Sequence, residues 1–107
     1  MALPDYEGWA CFVAVADGGS FTAAAAALGL SKASVSKAVT RLEASLGITL
    51  LHRSSRVVAV STAGAGLLDE ARAMVAAATA ATEAARGGRV DLAGAVRLPA
   101  AVGFGVK

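Results

Sequence analysis

The chain reads as a mainly α fold: a winged helix-turn-helix, three helices plus a two-stranded wing, followed by one long helix. Three observations predict it. Apolar residues recur at helical spacing in four segments. Each segment opens on a residue that caps helices and closes on glycine. Between the third and fourth segments, two short β-branched runs flank Ser54-Ser55-Arg56.

Asp5 is the N-cap of the first helix, with Pro4 just outside it. Trp9, Phe12, Val13 and Ala16 recur at i, i+3, i+4 and i+7, so one face is apolar. Gly18-Gly19 ends this helix. Ser20 caps a second, short helix whose inner face is Phe21, Ala24, Ala25 and Leu28. Its alanines let a neighbouring helix approach closely. Gly29 stops it, because glycine accepts the left-handed backbone of a tight turn. Ser31 caps the third helix, with the apolar stripe Val35, Ala38, Val39, Leu42 and Leu46, and Gly47 ends it.

Thr49 to Arg53 and Val57 to Val60 read as the two strands of the wing. Ser61 caps a final helix from Thr62 to Arg86, with a stripe of Leu67, Leu68, Ala71, Met74, Val75, Ala78, Ala81 and Ala85. At about 1.5 Å per residue this helix extends roughly 37 Å, more than a head of three short helices can cover. An apolar face that its own domain leaves open needs a partner. Homodimerisation through Leu67, Leu68, Ala71, Met74, Val75 and Ala78 is the expectation; the alternative is that the helix folds back on its own domain. Gly87-Gly88 breaks the helix. Arg89 to Leu98 has the pattern of a strand start, and the tail to Lys107 is expected to be poorly ordered.

The 107 residues make one small head with an appendage. The hydrophobic fraction of 56% is largely alanine, which favours helix but buries little area per residue. No uncharged apolar run reaches the roughly 18 residues of a membrane span, so no membrane partner is expected. Met1 to Asp5 lacks the basic and apolar regions of a secretory signal. The single cysteine, Cys11, excludes an internal disulfide and suits a reducing cytoplasm. One histidine, one cysteine, no phosphate-binding glycine loop and no metal-spaced ligand set argue against an enzyme, so no catalytic residue, metal or cofactor is expected.

The net charge of +2 is unevenly spread. Asp5, Glu7 and Asp17 make residues 1–20 acidic. Lys32, Lys37, Arg41, Arg53 and Arg56 against Glu43 give residues 21–60 a net +4. The cations therefore gather on the third helix and the wing, the footprint of phosphate contact. At about 100° per residue, Ala33, Ser36, Lys37, Thr40 and Ala44 fall opposite the apolar stripe, with Lys32 and Arg41 on the flanks, and Arg41 is expected among the DNA contacts with the other cations of this stretch. Small side chains let a helix sit deep in the major groove, while serine, threonine and lysine reach base edges or phosphates. The helix N-terminus itself favours a phosphate. The blander reading of Lys32, Ser36 and Lys37 is as exposed helix positions. Trp9 and Phe12 follow a buried-face period and read as core, Cys11 as a small core residue, and His52 as either a phosphate contact or an exposed wing residue.

In order and spacing, residues 5 to about 98 resemble the N-terminal domain of LysR-type transcriptional regulators. The resemblance is carried by Phe12-Val13-Ala14-Val15-Ala16, Gly19-Ser20-Phe21-Thr22, Ala24-Ala25, Leu28, Ser31, Val35-Ser36, Arg41-Leu42-Glu43, Leu46-Gly47, Leu50, Arg53, Arg56 and Val60-Ser61-Thr62-Ala63-Gly64. It implies a bacterial, cytoplasmic transcription factor that binds an interrupted inverted repeat as a dimer. It implies three parts: a winged DNA-binding domain over 1–60, a linker helix that dimerises it over 61–87, and the start of a truncated effector domain over 88–107. An effector metabolite is implied only where that C-terminal domain is present. Family reading residues map onto Lys32, Ala33, Ser36 and Lys37, and backbone contacts onto Thr22, Ser31, Thr40, Arg53 and Arg56. The chain departs from the pattern in several places. Ala23 stands where arginine is frequent. Lys32 and Ala33 replace common glutamine and proline, and Lys37 replaces arginine, which reads guanine more bidentately than lysine does. Leu51 replaces phenylalanine, and Ser61 replaces threonine. The competing function is a dimerisation module that sequesters full-length relatives without strong DNA binding. A winged-helix regulator of another family, dimerising through helices at both chain ends, needs a longer first segment than Met1 to Asp5.

Overall fold

The structure, a computed structural model, describes residues 3–54 and 57–87. Among them the order is α1 (Tyr6–Gly18), α2 (Phe21–Leu28), α3 (Lys32–Leu46), β1 (Leu51–Arg53), β2 (Val58–Val60) and α4 (Thr62–Arg86). The strand start expected at Arg89 to Leu98, the tail to Lys107 and the wing tip Ser55-Arg56 lie outside the described residues. The chain divides into two units between Val75 and Ala76, inside α4. The first holds the three-helix head, the wing and the first half of α4.

All four helices begin where a side-chain oxygen takes a free backbone N–H. Asp5 accepts from Gly8 at 3.1 Å, Ser20 from Ala23 at 3.0 Å, Ser31 from Ser34 at 3.0 Å and Ser61 from Gly64 at 2.8 Å. Each such cap stabilises its helix by about 1 kcal/mol. Between α2 and α3 the chain reverses at Gly29, whose φ of 68° is left-handed and whose N–H closes on the Ala25 carbonyl. A side chain there would strain the turn that sets the angle between the two helices.

The core lies among α1, α2 and α3, each packed on the other two. Phe12, Val15, Val35, Val39 and Leu42 are fully buried, with Leu50 from the chain between α3 and β1. Burial of one such side chain contributes about 1.5–3 kcal/mol. The edge of the Trp9 ring meets Phe12 at a centroid distance of 6.1 Å. Cys11 is a core residue, as its position predicts. Two apolar assignments need correction: Leu28 and Leu46 are exposed by 38% and 41%. Each is the last residue of its helix, where the inner side of the wheel runs past the end of the packed neighbour.

The wing is antiparallel, with Leu51 opposite Val60, His52 opposite Ala59 and Arg53 opposite Val58. Its strands are shorter than the apolar runs predict, because the Leu50 N–H goes to the Glu43 side chain, while the Leu50 carbonyl keeps the wing's register with Ser61. The Leu50 N–H donates to Glu43 Oε2 at 2.8 Å, and the Leu50 carbonyl accepts from Ser61 N–H at 2.9 Å. Val57 closes the turn with Ser54 through both of its backbone groups. The Ser61 hydroxyl also donates to the Thr49 carbonyl at 2.6 Å, so one buried serine caps α4 and ties it to the strand entry. α4 passes the Leu50 carbonyl at Gly64, where a Cβ would lie 2.5 Å from that oxygen.

The first half of α4 serves the head. Ala71 is buried in the core, and Leu67, Leu68 and Val75 pack against it. This corrects the dimerisation stripe at Ala71: with 3% exposure it has no surface to offer a partner. Met74 and Ala78 remain half-exposed.

Candidate nucleic-acid interface

α3 has a covered side and an open side. Val35, Ala38, Val39 and Leu42 face α1 and α2 and are buried. Lys32, Ala33, Lys37 and Thr40 are exposed, and Ser36 is half-buried. Helical spacing groups Ala33, Ser36, Lys37 and Thr40 opposite the apolar stripe and puts Lys32 on its flank, and the structure leaves all five on the open side. Ser31 sits at the head of the same face. Its hydroxyl accepts from the Ser34 N–H and donates to the Ser34 hydroxyl at 2.9 Å, fixing the first turn. The next first-turn N–H groups have no acceptor inside the helix. They place the positive end of the helix dipole at this corner. Thr22 is exposed on the first turn of α2.

The last residue of β1 joins this face. Arg53 donates from Nη1 to Ser36 Oγ at 3.0 Å and from Nη2 to Thr40 Oγ1 at 3.3 Å. Its guanidinium carbon lies 4.8 Å from the centre of the Phe21 ring, within cation–π range. Glu43 Oε1 is 3.6 Å from Nη2. Glu43 is itself held, since its other oxygen accepts from the N–H groups of Leu50 and Leu51 at 2.8 and 3.1 Å. His52 is exposed on β1. Arg56 lies outside the described residues.

Arg41, expected among the DNA contacts, is instead engaged by the acidic start of the chain. Its guanidinium donates to both carboxylate oxygens of Asp5 at 2.9 Å and to Glu7 at 3.2 Å. The hydrogen bonds to Asp5 and then Glu7 raise its pKa further above an already high value. The same Arg41 contact holds the Asp5 carboxyl below the usual carboxylate range. Arg72 is likewise paired with Asp17 at 2.6 Å. By contrast, among the described residues no carboxylate lies within ion-pair distance of Lys32 or Lys37. Lys32 and Lys37 thus keep their positive charge on the open side of α3, while Arg41 on its other flank is paired.

Glu43 and Phe21 are parts of this site that a residue-by-residue reading of charge misses. Glu43 reads as one acid diluting a basic stretch, and Phe21 as core. Their spacing from Arg53 in sequence carries no helical or strand signal. Cys11 has no chemistry to add: burial pushes its thiol pKa up, away from the reactive thiolate.

Comparison with known proteins gives the same picture. The family model for bacterial regulatory helix-turn-helix proteins of the lysR family matches residues 7–65. A probable hydrogen peroxide-inducible genes activator of Mycobacterium leprae is 43% identical over 95 residues, covering 89% of this chain and 30% of that protein. An HTH-type transcriptional regulator, ShiR of Corynebacterium glutamicum, is 39% identical over 87 residues, 81% of this chain and 30% of its own length. Among solved structures, oxidized OxyR of Corynebacterium glutamicum superposes with a TM-score of 0.74 at 36% identity, over 78% of this chain and 27% of that one. The CbnR DBD–DNA complex superposes at 0.66 and 32% identity, over 78% of this chain and 97% of that one. The chain spans about 30% of the length of these two curated relatives.

Proposed function

The chain belongs to the lysR family of bacterial regulatory helix-turn-helix proteins, and from that premise we propose that it reads an interrupted inverted repeat in duplex DNA as a homodimer. It carries the DNA-binding domain of a transcription regulator and belongs with regulators rather than enzymes. In this reading α3 enters the major groove, with Lys32, Ala33, Ser36 and Lys37 toward base edges. Thr22, Ser31, Thr40, Arg53 and Arg56 meet the sugar-phosphate backbone. Arg41 has no part in it, because Asp5 and Glu7 already satisfy its charge.

One observation carries the proposal: Lys32 and Lys37, with no carboxylate in ion-pair range among the described residues, share an exposed side of α3 with the small polar side chains Ser36 and Thr40. Such a face attracts phosphates through charge and admits base edges through its small side chains. The dimer is assigned to α4, whose half-exposed Met74 and Ala78 continue the stripe begun by Leu67, Leu68 and Val75. Two copies place two α3 helices for two half-sites. Effector recognition is assigned to no described residue of this chain. Among the described residues no helix is long and apolar enough to cross a membrane.

The test is selection from a pool of random duplexes, with the bound fraction sequenced and the affinity followed against salt. The reading expects an enriched inverted repeat and an affinity that falls steeply with salt. Weak, unselective binding by a chain that still dimerises would replace it with the sequestering module. For the dimer, Met74→Asp together with Ala78→Asp should halve the mass in light scattering; an unchanged mass would remove α4 as the interface.

A further inference from the structure

We propose that Arg53 is a positioning residue for the reading face, which fixes the hydroxyls of Ser36 and Thr40 and so sets base preference, rather than a phosphate contact alone. The inference rests on the DNA-reading proposal above. Four contacts define the arrangement. Arg53 spans from the end of β1 to Ser36 Oγ at 3.0 Å and to Thr40 Oγ1 at 3.3 Å, one turn apart on α3. The guanidinium lies over Phe21, a buried ring on α2, at 4.8 Å. Glu43 balances it from the last turns of α3 at 3.6 Å. All three supports are fixed: Phe21 is core, Glu43 is held by two backbone amides, and β1 is paired with β2.

An arginine free to meet phosphate is a long, solvated side chain with open rotamers. This one is only 31% exposed, stacked, and bonded through its planar fork. The fork matters because a guanidinium presents its donors in fixed directions, whereas an ammonium is a point charge on a flexible stem. The consequence falls on Ser36. A hydroxyl is a donor and an acceptor that rotates to suit its surroundings. Arg53 occupies it as an acceptor, and among the described residues Ser36 donates to no group. Its O–H is left to donate outward, toward acceptors such as purine N7 or thymine O4 in a major groove. A free serine at that position would accept or donate with equal ease and discriminate less.

The experiment compares base preference among four forms of the 107-residue chain: the parent, Arg53→Lys, Ser36→Ala and the double variant. The readout is selection from random duplexes, with circular dichroism confirming helix content. Lysine keeps the charge and loses the fork. The proposal predicts that Arg53→Lys relaxes preference at the same base pair that Ser36→Ala relaxes, by about fivefold or more. The double variant should relax it little further, since the two changes act on one contact. Phe21→Leu, which removes the ring beneath the guanidinium and leaves the charge, should relax the same base pair more weakly. It also stands in if the lysine variant loses helix content. Preference kept at every base pair, with all sequences weakened equally, would overturn the proposal and leave Arg53 a phosphate contact. Additive effects at different base pairs would overturn it too. A parent chain that enriches no sequence would instead remove the DNA-reading proposal, and this one with it.

Discussion

Arg41 and Arg53 both belong to the basic stretch of the sequence and both border α3, yet the fold uses them oppositely. Arg41 sits on the flank toward α1, paired to Asp5 and Glu7 across more than thirty residues of sequence. Arg53 leans onto the open face and holds two of its hydroxyls. The acidic start of the chain thus cancels a cation on the packed side and leaves Lys32 and Lys37 uncancelled on the other. What counts for a charged partner is where cations remain unpaired, and the net +4 of residues 21–60 overstates it. The asymmetry also orients the molecule: only one side of α3 presents positive charge to an approaching duplex.

Substitutions on the two sides should separate cleanly. The largest effect belongs to the packed side: Leu42→Ala should cost about 2–5 kcal/mol of stability, visible as a lowered denaturation midpoint. A loss under 1 kcal/mol would mean that α3 is not anchored through this stripe. On the open side, Lys37→Ala should leave the midpoint in place but weaken specific binding by about 1–3 kcal/mol and alter base preference. Unchanged affinity and preference would break the assignment of the two sides. Arg41→Ala should do the reverse of Lys37→Ala: a small loss of stability, and a slope of affinity against salt that does not change. A flattened slope would show that Arg41 leaves Asp5 to meet phosphate. The smallest effect is a pH dependence. Because Arg41 holds the Asp5 carboxyl below its ordinary value of 3.8, the contribution of this pair is present in full above that value and is lost as the pH falls below it. Acid unfolding of Asp5→Asn should therefore show a shallower loss of stability below pH 4 than the parent chain. Identical acid profiles would mean that the pair contributes nothing.

Much of the fold was legible in the sequence because its signals are local. Asp5, Ser20, Ser31 and Ser61 each sit one residue before a helix, and each caps it. The outward grouping of Ala33, Ser36, Lys37 and Thr40 follows from helical spacing alone. The misreadings come from what spacing cannot carry. Leu28 and Leu46 lie at the right angle but at helix ends, and angle does not say how far a neighbour extends. Ala71 lies on the α4 stripe, but whether a stripe meets its own head or a second copy is a matter of distance in space. The Arg41–Asp5 pair and the Arg53–Phe21–Glu43 cluster join segments that only the folded chain brings together. The strands were read too long because the Leu50 N–H, just before β1, is taken by the Glu43 side chain of α3.

The difference between the two sides of α3 is tested most directly by titrating the isotopically labelled chain with its selected duplex and following the backbone amide resonances. The account predicts that the largest shifts fall on residues 31–37 and on His52 and Arg53, while Tyr6, Glu7 and Arg41 stay close to their free positions. Shifts centred on Asp5, Glu7 and Arg41, with Lys32 to Lys37 unmoved, would contradict it.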